Sequence, residues 1–496
     1  MLEKIRLYWG EAVWFLLIFS LPFTSLPLVS KLMGGTMVSP PAILILILLI
    51  LAWLIPWVLR GHQFPAQVVP LLVFVIVVLI ATSASAFLPI PSFRGIPVFT
   101  NSLGAIITLF IGVLFFLVAA GYPLEQSKLD RRLRWINWSG LIILAWSAVQ
   151  MVYWSIYGAY PAWMYKVQTM ISASHRLYNQ RVTGLAYEPS WLAHQLNMLY
   201  LPLWMAMTYK RATVHRFRFL GITFENILLA GGVATLVLSI SRVGLLGYLL
   251  TVAFLIFLAS QQLIAWLRRK LNEHWTNLSR KRSSQVFLTV GMYLLLGVIY
   301  FAIFATAAVV ISKYDPRMED FLNPASYVGS FAQIANRLAF VERVFYWQTG
   351  WEIFKTYPWL GVGLGNAGYF FLEKMPPYGY STVEISSILH TLGDLPNTKA
   401  LWARLLSETG VLGFSVFFSW LFVLWKTATA TFQEAERKVS AWGLAGLLCL
   451  VALIIEGFSV DTFALPYYWL LFGWMTAASR ISALNNPGAN QGNVAK

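Results

Sequence analysis

Five stretches of this chain hold residue types and spacings that can do chemistry. In Arg181-Val-Thr-Gly-Leu-Ala-Tyr-Glu188-Pro-Ser190, Pro189 suits a first helical turn, so Glu188 falls at the positive end of a helix. There it is either a carboxylate beside Arg181 that can move a proton, or a plain cap with a surface arginine nearby. In Ser239-Ile-Ser241-Arg242-Val-Gly244, a tight hairpin between two apolar helices sets a guanidinium at the hydrocarbon boundary, where charge is costly and tends to be functional. Arg242 can bind a phosphate bidentately or snorkel to lipid headgroups, and the small residues around it leave room for a ligand. The third stretch begins at Asn336-Arg337 and continues through Arg343, Trp347 and Trp351. The last three stand at i, i+4 and i+8 and share a helical face. A cation among aromatic rings suits sugar stacking and phosphate binding, and it equally suits an interfacial belt.

The fourth stretch is Tyr357-Pro358-Trp359-Leu360-Gly361-Val-Gly363-Leu-Gly365-Asn366. Alternate glycines let the backbone come close to a ligand, or simply make a tight turn. No strand precedes it and no Lys-Ser/Thr follows, so it is neither a Rossmann nor a P-loop signature. The fifth holds His390, then Asp394, Pro396-Asn397-Thr-Lys399, then Arg404 and Glu408. His390 can act as a general base near neutral pH, although a lone loop histidine is more often solvated. Arg404 and Glu408, at i and i+4, can pair with each other. His194 reads as a hydrogen bond inside the bundle. Glu456 and Asp461 either face the site or neutralise one of its arginines. The outer side has no D-x-D pair and no His/Glu cluster at ligand spacing, so no metal site is expected. If a phosphate leaves during the reaction, arginines must stabilise its charge.

The elements that must position these residues are membrane helices. Hydrophobic types make up 58% of the 496 residues and charged types 11%, far from the roughly 25% charge of a soluble domain. A span needs about 20 mostly apolar residues, and about twelve such segments are expected. They lie near 12–30, 42–59, 66–88, 104–122, 137–159, 189–208, 220–240, 243–266, 285–312, 402–425, 441–460 and 464–480. The formal charge of +16 sits in short loops on one side, so it reports the positive-inside rule and not nucleic-acid binding. Both termini are thereby expected in the cytoplasm. The first apolar run follows Met1–Arg6 without a small-residue cleavage site and reads as a retained helix. A single cysteine, Cys449, excludes a disulfide framework. Two outer segments, about 160–189 and 313–401, are too long to be mere connections. The second is expected to hold an amphipathic helix near 327–356, ended by Pro358 and Gly361. Twelve helices also suit a transporter, which the sparse mid-membrane charge and the absence of an internal repeat disfavour.

Taken together, Arg181-Val-Thr-Gly…Glu188-Pro-Ser, Ser241-Arg242-Val-Gly244, Arg343…Trp347…Pro358-Trp-Leu-Gly-Val-Gly-Leu-Gly-Asn366 and Pro396-Asn397…Leu405-Leu-Ser-Glu-Thr-Gly410-Val-Leu-Gly413 resemble the O-antigen ligase/polymerase superfamily over roughly 181–413. The resemblance implies an all-α polytopic membrane protein of the GT-C-like kind with one large, partly helical periplasmic loop at 313–401. It divides the chain into N-terminal helices (1–180), a ligase/polymerase-like core (181–425) and C-terminal helices (426–496), in a cell inner membrane. Members of the family transfer glycans carried on undecaprenyl pyrophosphate at the periplasmic face, without metal or other cofactor. Polymerases extend a lipid-linked repeat unit into O-antigen, capsule or exopolysaccharide, whereas ligases move the glycan to lipid A core. A loop histidine in a His-Asn pair is the proposed base of ligases. Pro396-Asn397 stands at that place here, which favours a polymerase. The resemblance then implies His390 or Glu188 as base, and Arg181, Arg242 and Arg343 on the pyrophosphate. Arg337, Trp347, Asn366, Asn397, Lys399 and Arg404 are expected along the substrate. Implied partners are the lipid-linked donor and acceptor, the bilayer, a chain-length regulator and a flippase.

Overall fold

A backbone surrounded by hydrocarbon must satisfy its own polar groups, so the apolar runs fold as helices. The computed structural model describes residues 2–32, 37–122, 125–274, 340–381 and 395–485, with fragments between 290 and 334. In chain order these are α1 (Leu2–Ser20), α2 (Pro27–Leu32), α3 (Ala42–Leu59), α4 (Val68–Ala84), α5 (Val98–Gly121), α6 (Gln126–Tyr157) and α7 (Ala162–Ile171). Next comes α8, which runs through Pro189–Gln195, a π turn at Leu196–Tyr200, and Leu201–Lys210. Then follow α9 (Phe224–Leu238), α10 (Arg242–His274), α11 (Val341–Thr356), α12 (Leu401–Phe432), α13 (Arg437–Glu456) and α14 (Tyr467–Asn485). A two-residue β-hairpin at 218–223 joins α8 to α9.

Seven of the described helices are long and apolar enough to cross a membrane: α3 to α6, α10, α12 and α13. The protein is therefore a multi-pass membrane protein. The other expected segments coincide with helices outside that criterion, and 285–312 lies only partly within the described residues. The first expected span is displaced. Its helix starts at Leu2, ends at Ser20 and resumes only as the short α2, because Pro22 and Pro27 interrupt the run and disfavour helix just before them. The helix expected near 327–356 is described from Val341 and ends at Thr356, just before Pro358. A further helix, α7, lies in the first outer segment.

The bundle is built around α13. Of its apolar window 89% is buried, against 28–50% for the other six candidate spans, and it packs against α8, α10, α12 and α14. Small residues let helices touch there, as membrane packing demands. A Cβ on Gly112 of α5 would lie 2.5 Å from the Trp469 ring of α14, and one on Gly473 would lie 2.5 Å from Ala119. A separate aromatic cluster, with Phe93, Phe345, Tyr346, Phe370 and Phe371 at its centre, anchors α11 to the segment before α5. This cluster holds the residues of α11 next to the start of α12.

Candidate functional site

The glycine-rich stretch and the start of α12 form one unit. Gly361, Gly363 and Gly365 all have positive φ (66°, 86° and 86°), and the turn they make lies against a break in α12 at Gly410 (φ 62°, ψ −168°). The break frees backbone groups, and the turn pairs with them. Val362 N–H donates to the Ser407 carbonyl (3.0 Å), Gly363 N–H to the Glu408 carbonyl (3.0 Å), and Val411 N–H to the Pro358 carbonyl (2.8 Å). A Cβ on Gly361 would stand 2.5 Å from the Glu408 backbone. The close approach is thus to another stretch of the chain. Asn366 is fully buried and serves the same turn. Its amide donates to Val362 carbonyl (3.0 Å) and Ser85 Oγ (3.2 Å) and accepts from Ser102 Oγ (2.9 Å).

One turn before the break, Arg404 Nε donates to Glu408 Oε2 at 2.8 Å. The expected i, i+4 pair forms, and Glu408 is 4% exposed. The same guanidinium donates through Nη1 to the Asp461 carbonyl (2.7 Å) and lies over the Phe463 ring (5.1 Å). From α11, Arg343 Nη1 donates to the Ser459 carbonyl (3.0 Å) and, at 3.5 Å, to that of Lys399. Asn397 Oδ1 accepts from the Lys399 N–H at 3.1 Å, a local turn that holds Lys399 in the left-handed region (φ 47°). The Lys399 ammonium thereby reaches the Tyr346 ring, 4.8 Å away. Burial lowers the pKa of this ammonium, and Arg343 lowers it further, while Asp461, Glu342 and Glu188 pull it back up. Burial also raises the Tyr346 hydroxyl, with Glu342 next in effect. Three cations from α11, the loop before α12, and α12 thus stand together.

Glu188 caps α8 with extended backbone (φ −151°, ψ 166°) and accepts from the Ser190 hydroxyl. Its charge is felt by both Lys399 and Tyr178, so the first outer segment borders this cation cluster. Arg181 Nε donates to the Ser239 carbonyl (3.0 Å), and Val182 N–H to that of Leu238 (3.1 Å). These bonds tie the segment to the hairpin in which Ile240 takes φ 48° and Arg242, partly buried, opens α10. Beside Arg343, Trp347 Nε1 donates to the Phe458 carbonyl (3.2 Å). Trp347 and Trp351 form one wall of an apolar groove of about 610 Å³, with Trp402, Leu406, Phe418 and Ile454 among its other walls.

The structure therefore brings Arg343, Lys399, Arg404, Asn397 and Trp347 together, with Glu188 within electrostatic reach. It joins Arg181 to the Arg242 hairpin and keeps Asn366 inside the glycine turn. His390 and Arg337 lie outside the described residues. One participant was not expected as a site residue. Tyr346 stands three residues after Arg343 on the same helix, a spacing that could have shown it. Asp461, expected to face the site or neutralise one of its arginines, meets Arg404 through its backbone carbonyl and carries a buried Oδ2 with no hydrogen-bond partner among the described residues. Among the described residues Glu456 pairs with no arginine. It accepts from Asn197 (2.7 Å) and meets His194 Nδ1 at 3.2 Å, both inside the bundle. Among the described residues no three His, Cys, Asp or Glu side chains gather closely enough to hold a metal ion.

No curated protein matches the chain. Residues 227–418, which take in the Arg242 hairpin, α11, the glycine turn and the broken first part of α12, match the family model described as O-antigen ligase, in support of the resemblance to the O-antigen ligase/polymerase superfamily.

Proposed function

We propose that this protein is a glycosyltransferase that polymerises oligosaccharide repeat units carried on undecaprenyl pyrophosphate, at the periplasmic face of the inner membrane, with both termini in the cytoplasm. The observation that carries the reading is a cation cluster set against an apolar groove. Arg343, Lys399 and Arg404 offer positive charge at one place, and Trp347, hydrogen-bonded to Phe458, marks where the groove of about 610 Å³ begins. A polyprenyl diphosphate has that same division: an anionic head and a long apolar tail. Guanidinium and ammonium groups held by backbone carbonyls and aromatic rings are preorganised for charge that builds on a leaving diphosphate. Arg181 and Arg242 extend the cationic surface along the hairpin. In this reading Glu188 or His390 takes the proton from the acceptor hydroxyl, and Asn397 and Trp347 border the sugar. The bond that is broken is already activated in the carrier, so transfer needs no nucleotide.

The family description favours a second reading, ligation of the glycan to lipid A core. One experiment separates the two. Purified protein is mixed with a lipid-linked repeat unit, without metal or nucleotide, and the products are resolved on a gel. A ladder of increasing length is the expected result. A single shifted band that needs lipid A core establishes the ligase instead. No product, together with substrate exchange across vesicles, would overturn glycosyl transfer in favour of a transporter.

A further inference from the structure

Helix α6 has 32 residues, so its two ends lie about 48 Å apart at 1.5 Å per residue. Near its C-terminal end Gln150 bonds to Thr183 and Gly184, next to Arg181. Its first turns therefore lie at the far end of the bundle from the cation cluster. There Arg131, Arg134, Trp135 and Trp138 stand at i, i+3, i+4 and i+7 and share a face. Phe15 and Phe19 of α1 lie alongside, with ring centroids 4.3 Å apart and Phe15 5.5 Å from Trp135. These six residues line a groove of about 540 Å³. Phe15 is 40% and Trp138 47% exposed, and on a membrane protein such rings meet lipid at its interface.

The charge at this end does not balance. Glu11 is shared between Arg131 (3.1 Å) and Arg132 (2.6 and 2.8 Å). One carboxylate thus faces two guanidiniums, and Arg132 is fully buried, enclosed by the rings of Trp14, Tyr122 and Trp135. Arg134 is exposed and makes no hydrogen bond or ion pair among the described residues. The groove is therefore rimmed by the exposed Arg134 and by Arg131, half exposed and sharing Glu11 with Arg132, and floored by aromatic rings. We propose that it binds an anionic glycerophospholipid, with the phosphate on Arg131 and Arg134 and an acyl chain against Phe15, Phe19 and Trp138. Basic recesses between membrane helices suit such headgroups, and a guanidinium fork matches a phosphate. The site is independent of glycosyl transfer.

The test is native mass spectrometry of the full chain in detergent, titrated with phosphatidylglycerol, phosphatidylcholine or inorganic phosphate. Phosphatidylglycerol is expected to be retained about tenfold more strongly than phosphatidylcholine, the scale of one charge-assisted contact. Arg134→Gln should erase that preference with an unchanged melting temperature, because the side chain is exposed. Arg60→Gln, an exposed arginine outside the groove, should leave it intact. Equal retention of the two lipids, or a preference that survives Arg134→Gln, overturns the proposal. So does complete displacement of phosphatidylglycerol by millimolar inorganic phosphate, which would show that the cations hold the phosphate alone.

Discussion

Lys399 is the residue whose charge is most finely set. Its ammonium titrates below the ordinary lysine value of 10.5 because it is buried and faces Arg343. Deprotonation therefore comes earlier in the fold than in the unfolded chain. Proton linkage from Lys399 thus favours the fold as pH climbs from the lowered value toward 10.5, while the charge that a diphosphate needs disappears over the same window. Donor binding should weaken on the alkaline side with no matching loss of melting temperature. Lys399→Arg should shift that weakening to higher pH, since a guanidinium stays charged. An unshifted pH profile would remove Lys399 from the diphosphate. Arg404 behaves differently, because its partner Glu408 is 4% exposed. Arg404→Gln leaves a buried carboxylate unpaired and should cost about 3–5 kcal/mol. The double variant Arg404→Gln/Glu408→Gln should recover part of that in a thermal melt. Of these two residues, Arg404–Glu408 was legible as a spacing. The state of Lys399 was not, since Arg343 and Asp461 reach it from distant parts of the chain.

At the scale of elements, the helices were legible and their interruptions were not. Apolar runs near 42–59 and 66–88 became α3 and α4 almost residue for residue, and the run near 441–460 became α13 four residues earlier, because hydrocarbon leaves the backbone few other choices. The break at Gly410 sits inside an otherwise continuous helical pattern, and the glycine itself is the one local sign of it. Its cause is non-local: the turn from Pro358 to Asn366 inserts backbone against Ser407 to Val411. Of the two readings the glycines allowed, the tight turn is the one observed, and this backbone-to-backbone fit requires it. Gly361→Ala tests it. The substitution meets both a left-handed φ and the Glu408 backbone at 2.5 Å, so it should shift the turn and disable Arg404. Gly95→Ala shares the positive φ (71°) but has nothing within 4 Å, and should cost only about 1 kcal/mol of backbone strain. Activity loss of similar size in both variants would show that the turn does not position Arg404.

The whole molecule matters because the cation cluster and the groove draw on segments up to about a hundred residues apart. The groove alone spans α11, α12 and α13, and no single stretch of sequence shows it. A tail that already lies in lipid gains little hydrophobic free energy on entering an apolar groove. On the proposed function its contribution is therefore alignment: it would fix where the head meets Arg343 and Lys399, and alignment of reacting groups is worth far more in rate than in affinity. Ile454 lines the groove and is 51% exposed, so Ile454→Gln changes the lining without disturbing the packed core. With a full-length polyprenyl donor this variant should lose about tenfold in kcat, equivalent to about 1.4 kcal/mol, with KM nearly unchanged. With a short-tailed donor that cannot fill the groove, variant and parent should run at similar rates. Lys399→Met, which acts on the head alone, should slow both donors alike. Were Ile454→Gln to slow long and short donors equally, the groove would have no part in seating the tail, and the cations would have to orient the diphosphate unaided.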